Sequence, residues 1–342
     1  YLRHRFMKSI TEIFPLLGKE KKNVVITMHQ KPDPDAMGSA LGLYHFLNML
    51  GYTVTVISPT NWATFLNWMP GCEKVIDYDY RRQEAEAALQ KAEWLFCLDF
   101  NTLSRTKNMA VSIGKLNCVK ILIDHHQQPE VTAFTYGISN TAKSSTSEMV
   151  YDFITGSGNK NLVNIAIAEC LYAGLIGDTG SFRFPAAGSD VHFMAAHLKE
   201  TGFNHTKVHE NIYDNFLENR LRFIGMVLLN RMEIMYEYNT ALIAIPKNDL
   251  LKFDIKTGDT EGLVNYPLTI QGIKLAAIVI DRDEERKWSF RSKGEFDTNT
   301  FARTYFNGGG HYNASGGKSS ETLEKTIQKF KQSIRENASL LQ

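Results

Sequence analysis

The sequence predicts an α/β protein: a doubly wound, mainly parallel sheet in an N-terminal domain, then a smaller α/β domain across a cleft. Three observations predict it. Apolar runs without alternation, such as "NVVITM", "WLFCLD" and "VKILID", read as strands buried on both faces. Segments of helical period separate them, as a helix-covered parallel sheet requires. Beyond residue 195 the pattern changes to long helical stretches and then to a second set of strands.

The elements follow in order. "YLRHRFMKSITEIF" mixes charged and apolar residues as a short helix does, so no secretory leader is expected. "NVVITM" is the first strand, and "AMGSALGLYHFLNMLG" is a helix stopped at Gly51. "TVTVIS" is a strand, "RRQEAEAALQKA" a helix, and "WLFCLD" and "VKILID" are further strands. "SSTSEMVYDFITG" and "NLVNIAIAECLYAGLIG" are helices. "VHFMAAHLKETG" and "FLENRLRFIGMVLLNRMEIM" are long helical patterns able to link domains. Then come the strand "TALIAIP", a helical "TEGLVNYPLTI", the strands "IKLAAIVID" and "KWSFRSK", a Gly-rich loop and the helix "ETLEKTIQKFKQSIREN". The expected domains are residues 1–195 and 231–342, with a helical connector at 196–230.

Composition narrows the function. The 342 residues suffice for two cores. Lys and Arg number 38 against 37 Asp and Glu, which excludes a surface built to hold long nucleic acid. Cys72, Cys97, Cys118 and Cys170 form no C-x-x-C pair, as in a reduced, cytoplasmic protein. Apolar runs such as "LAAIVI" are far too short to span a membrane.

Polar residues then gather where the strands end. His29 follows the first strand, Asp99 closes "WLFCLD", and Asp124, His125 and His126 close "VKILID". Ligands of an open parallel sheet bind beyond the carboxyl ends of its strands. Asp33 and Asp35, just past His29, and Asp178, in "LIGDTGSF", can join the same edge. So many carboxylates cannot stay ionised together without a cation. Their number suggests two divalent ions. Oxygen and imidazole donors without thiolate suit Mn²⁺, Mg²⁺, Co²⁺ or Fe²⁺ better than structural Zn²⁺. Paired ions commonly serve phosphoryl displacement.

Each residue alone has an ordinary structural explanation. Asp35 before "AMGSALGL" suits a helix cap, Asp99 a turn, and His125 or His126 a satisfied histidine. The functional case rests on four segments converging at one edge.

The ordered motifs "HQKPDPD", "LDF", "IDHH" and "GDTGSF" resemble the four motifs of the DHH phosphoesterases. "FNGGGHYNASGG" resembles the signature of the associated C-terminal domain. Length and layout are most similar to the NrnA-type oligoribonucleases, or nanoRNases. This resemblance implies hydrolysis of dinucleotides and slightly longer oligoribonucleotides to 5′-mononucleotides. It also implies removal of the 3′-phosphate of adenosine 3′,5′-bisphosphate, two divalent cations with Mn²⁺ foremost, and room for a homodimer. Carried over residue by residue, His29 and Asp33 bind one cation, Asp35, His125 and Asp178 the other, and Asp99 bridges both. His126 faces the phosphate as a positioning group or proton donor, and Asp124 orients the site. Arg105 sits where the family often has an arginine near the phosphate.

In the second domain Arg291 can grip a phosphate with its planar fork. Gly308, Gly309 and Gly310 allow backbone N–H groups to approach an anion, and His311 and Asn313 add donors. Ser292 beside Arg291 belongs to the same substrate-binding set. A plain tight turn needs such glycines too. "GGKS" at residues 316–319 lacks the first glycine of a P-loop, where Tyr312 stands, and no nucleoside triphosphatase is expected. Three alternatives remain open. They are a cyclic or linear di-AMP phosphodiesterase, an inorganic pyrophosphatase or exopolyphosphatase, and a nucleic-acid-binding module without catalysis.

Overall fold

The structure is a computed structural model describing residues 6–282 and 285–342. The chain divides into two units, Tyr1–Asn215 and Phe216–Gln342.

Among the described residues of the first unit, seven strands form one sheet. They are β1 (Lys8–Ser9), β2 (Asn23–Thr27), β3 (Thr53–Ser58), β4 (Ile76–Asp77), β5 (Trp94–Leu98), β6 (Val119–Asp124) and β7 (Tyr136–Ser139). The order is β1-β7-β6-β5-β2-β3-β4, and every neighbouring pair runs parallel. Helices α1 (Pro34–Met49), α2 (Arg82–Lys91), α3 (Ala110–Lys115), α4 (Thr146–Gly156), α5 (Ile165–Asp178), α6 (Ser189–Glu200) and α7 (His205–Tyr213) complete it. The pleat explains the apolar runs. Trp94, Phe96 and Leu98 of β5 enter the core that also holds Met37, Met149 and Leu171. Leu95 and Cys97 enter the opposite core with Ala85, Leu89 and Ile113. Both faces are covered, so alternation is lost. Strand order reverses between β2 and β5, which opens a crevice at their carboxyl ends.

The second unit has a mixed sheet of β8 (Met232–Met235), β9 (Thr240–Ile245), β10 (Leu275–Arg282), β11 (Glu285–Ser292), β12 (Gly309–Gly310) and β13 (Ala314–Ser319). Its order is β12-β13-β11-β10-β9-β8, with only the β9–β10 pair parallel among the described residues. Its helices are α8 (Glu218–Asn230), α9 (Lys247–Lys252), α10 (Thr298–Tyr305), α11 (Leu323–Glu336) and α12 (Ala338–Leu341). Trp288, Phe290, Phe301, Phe306 and Phe330 build an aromatic core on one face. Ile243, Ile278 and Ile280 pack with Phe223 and Val227 on the other.

Several expectations are corrected. Of the expected opening helix, residues 1–5 lie outside the described residues. The rest is β1 and a 3₁₀ turn, Ile10–Leu16, containing Pro15, which supplies no backbone N–H for an α-helix. "MEIM" does not continue α8; it pairs antiparallel with β9 as β8. "TEGLVNYPLTI" yields a 3₁₀ segment, Leu263–Thr269, with Pro267 inside. The Gly-rich loop is largely the hairpin β12–β13, and Gly316–Ser319 lie within β13. Residues 196–230 are shared out: α6 and α7 fall in the first unit, α8 in the second. Among the described residues, no helix is long and apolar enough to cross a membrane.

Candidate active site

His29 lies two residues beyond β2. Its Nδ1–H donates to the Gln30 carbonyl at 2.8 Å, since that oxygen can only accept. Nε2 therefore faces Asp99 Oδ2 at 3.4 Å and Asp33 Oδ2 at 3.7 Å. Asp33 is the N-cap of α1: its Oδ1 accepts from the backbone N–H groups of Asp35 and Ala36, both at 3.0 Å. This corrects the cap reading of Asp35. The wholly buried carboxylate of Asp35, the second residue of α1, reaches the start of α4 instead. There it accepts from Thr146 N–H at 2.6 Å and Ser147 N–H at 2.9 Å.

Asp99 follows β5 directly, in the left-handed region at φ +63°. Its Oδ1 lies 3.4 Å from His125 Nε2 and 3.7 Å from His126 Nδ1, and accepts from Thr146 Oγ1 at 2.9 Å. His125 repeats the His29 pattern. Its Nδ1–H donates to the Lys143 carbonyl at 3.2 Å, and Nε2 faces Asp178 at 3.2 Å and Asp35 at 3.8 Å. Asp178 is the last residue of α5. His126 Nδ1–H donates to buried Asp124 Oδ1 at 2.7 Å. Room for this packing comes from Gly174 of α5. A Cβ there would lie 2.0 Å from Ser147 Oγ and 2.7 Å from Asp35 Oδ1.

The electrostatics follow from that crowding. Burial opposes charge on His29, but Asp33 and Asp99 outweigh it and push the imidazole up to about 10. Burial opposes charge on His125 too, and Asp178 and Asp99 hold it well above the usual histidine range. Asp99 is ionised despite burial, pulled far down by His125 and His29. Asp33 is lowered against burial by His29. Asp35 is raised well above the carboxylate range by burial, with Asp99 and Asp178 adding repulsion. Asp178 is raised mainly by burial.

These residues fit divalent cations. A neutral imidazole that gives its Nδ1–H to a carbonyl turns a lone pair on Nε2 toward carboxylates, so either a proton or a cation must sit between them. His29, Asp33 and Asp99 bring donor atoms within 4.8 Å of one another, as do Asp35, Asp99 and His125. The two groups share Asp99. Asp99, Asp124 and His126 form a third such group.

The other expected residues sit on further elements of the two units. Arg105 is half-buried in the segment after Asp99, and its carbonyl accepts from Gln30 N–H at 2.9 Å, tying that segment to the His29 loop. In the second unit, Arg291 is half-buried on β11, its Nη1 donating to the Phe290 carbonyl. Asn313 Nδ2 donates to Ser292 Oγ and the Gly294 carbonyl, so this pair braces the hairpin. His311 stands at the hairpin turn, its N–H donating to Ala314 O at 2.7 Å. The expected amide cradle is corrected in part. Gly308 N–H is bound to Ala302 O, and Gly310 N–H to Asn299 Oδ1. Glycine is needed there for close strand approach: a Cβ on Gly308 would lie 1.9 Å from Gly316 O, and one on Gly310 2.6 Å from Ala314 O. Gly309 pairs with Gly316 across the hairpin.

Thr146 and Ser147 were not anticipated as site residues. Their signal is the capping box Ser145-x-x-Glu148, which places a helix N-terminus at this point without saying what it faces.

A model described as "DHH family, N-terminal domain" matches residues 23–175, and one for the DHHA1 domain matches residues 239–339. The probable bifunctional oligoribonuclease and PAP phosphatase NrnA of Streptococcus mutans is 30% identical over 323 residues, covering 92% of this chain and 96% of that protein. The chain belongs to the DHH family. It is a phosphoesterase, hence a hydrolase, as the motifs implied. The bifunctional oligoribonuclease and PAP phosphatase NrnA of Bacillus subtilis is 28% identical over 295 residues, 86% of this chain and 88% of that one. A crystal structure of an exopolyphosphatase-related protein from Bacteroides fragilis is 37% identical and covers 97% of each chain, with a TM-score of 0.91. The α/β architecture is thus that of a solved relative.

Proposed function

We propose that this DHH phosphoesterase hydrolyses dinucleotides and short oligoribonucleotides to 5′-mononucleotides and removes the 3′-phosphate of adenosine 3′,5′-bisphosphate. The observation that carries the reading is the sharing of Asp99 between His29 and Asp33 on one side and His125 and Asp35 on the other. Similarity to the NrnA proteins, named for both activities, supports the substrates.

His29, Asp33 and Asp99 would hold one divalent cation, and Asp35, Asp99, His125 and Asp178 a second, Mn²⁺ being best suited to this oxygen and imidazole set. Bound there, such ions acidify water and draw charge from phosphoryl oxygens. The protein's own groups do the rest. Asp124 holds Nδ1–H of His126, so Nε2 is the nitrogen that exchanges a proton with the substrate. Arg105 in the first unit, and Arg291 and His311 in the second, grip phosphate, while Ser292, Asn313, Gly309 and Gly310 shape the hairpin. The first unit carries the chemistry and the second holds the terminal nucleotide, in the cytoplasm.

The test is a panel with Mn²⁺: pGpG, adenosine 3′,5′-bisphosphate, cyclic dinucleotides, pyrophosphate, and an RNA length series at two salt concentrations. Near-equal Lys/Arg and Asp/Glu totals leave no excess charge for long polyanions. Short RNA should be cut fastest, with a salt slope equivalent to about one to three phosphates at roughly −0.7 each. Rates that climb with length, or preference for pyrophosphate or cyclic dinucleotides, would overturn the reading.

A further inference from the structure

We infer that Thr146 is a positioning residue that keeps the two carboxylate oxygens of Asp99 apart, one toward each donor group. This rests on the two-cation reading above. Thr146 is wholly buried and touches two of the candidate ligands at once. Its backbone N–H binds Asp35 Oδ2 at 2.6 Å, and its hydroxyl donates to Asp99 Oδ1 at 2.9 Å.

The helix does not need that hydroxyl. Ser145 already caps α4, its Oγ accepting from Glu148 N–H at 3.0 Å. Glu148 in turn accepts from the N–H and Oγ of Ser144, both at 2.8 Å. The Thr146 hydroxyl is therefore left for Asp99. An Asp side chain has a broad final torsion, so its oxygens exchange places easily unless something selects one orientation. The Asp99 backbone is anchored by its N–H to Ile123 O at 3.1 Å, but that bond does not orient the carboxylate. Thr146 does. With Oδ1 held by the hydroxyl, Oδ1 faces His125 and Oδ2 faces His29, both at 3.4 Å. Without it, the carboxylate can turn and offer both oxygens to one side.

The experiment compares wild type, Thr146→Val and Thr146→Ser. Valine keeps the shape and removes the hydroxyl; serine keeps the hydroxyl. Mn²⁺ binding is followed by calorimetry and electron paramagnetic resonance, with thermal melting of the cation-free proteins. The expected result is two equivalents in wild type with an exchange-coupled spectrum. Thr146→Val should bind one equivalent about 10- to 100-fold more weakly and give a mononuclear spectrum, the scale seen when a ligand's hydrogen-bond partner is removed. Thr146→Ser should restore both. A Thr146→Val protein with wild-type stoichiometry and coupling overturns the inference. So does equal weakening in both variants together with a lowered melting temperature, which marks a packing role. Wild type binding fewer than two equivalents removes the two-cation reading itself, and the inference with it.

Discussion

The Nδ1–H of His126 is fixed on Oδ1 of Asp124 at 2.7 Å, with Asp124 wholly buried at the end of β6. A buried carboxylate in that position selects the ring orientation and the tautomer protonated on Nδ1.

Asp124→Asn keeps the shape and removes that charge. Turnover should fall about 10- to 100-fold while bound Mn²⁺ per chain stays the same. Steady-state kinetics beside elemental analysis checks this. Loss of cation in step with activity would make Asp124 a ligand.

Asp99 should be tested as Asp99→Asn. Its φ of +63° is tolerated by asparagine and strained for alanine, so Asp99→Ala would mix a folding defect with the chemical one. Asp99→Asn should lower turnover by about 10³-fold or more, since charge stabilisation and ligation are lost together. Near-normal activity with Mn²⁺ would sink the bridging role.

The crowding at Gly174 predicts a cost for one methyl group. Gly174→Ala sets a Cβ against Ser147 Oγ and Asp35 Oδ1. Overpacking of this kind costs about 1–3 kcal/mol, read by chemical denaturation. Because Asp35 is one of the atoms displaced, Mn²⁺ affinity should fall as well. A stable variant with unchanged affinity would contradict the packing described.

The pH dependence follows from His29. In cation-free protein its folded value of about 10 exceeds the free histidine value. The charged ring thus stabilises the fold fully below about 6.5, and this contribution is lost as pH rises through about 10. A cation needs the same nitrogen deprotonated, so its binding strengthens over that window. The gap in melting temperature between Mg²⁺-loaded and EDTA-treated protein should widen from about pH 6.5 to about pH 9.5. A constant or narrowing gap would contradict the placement of His29.

Arg291→Ala and His311→Ala should weaken hydrolysis of dinucleotides far more than that of a small chromogenic phosphodiester, with bound Mn²⁺ unchanged. Equal losses on both substrates would place these residues in folding or in the chemistry.

The strand ends were legible because β2, β5 and β6 are largely apolar and polar residues mark where each stops. His29, Asp99 and His125 could be placed at one edge on that ground alone, whereas Asp178, at the end of helix α5, could only be read as able to join them. Spacing could not distinguish Asp33 from Asp35 as the cap. The two differ by which one turns toward α4, a contact between residues far apart in sequence. The roles of Thr146 and Ser147 were hidden for the same reason. β1 and β4, two residues each, are too short for any periodicity to register. The Gly308 and Gly310 amides look available in sequence, but α10 takes both, through Ala302 O and Asn299 Oδ1.

The parallel sheet also dictates when the site can exist. Its donors come from residues 29 to 178 and meet only after β2, β5 and β6 have paired and α4 and α5 have docked. Contacts of such long sequence separation form late and make folding slow. A divalent ion then finds nothing to bind in the early chain and acts as a latch, not a template. It should leave the refolding rate almost untouched and slow unfolding, extending the lifetime of the native state after the sheet has closed.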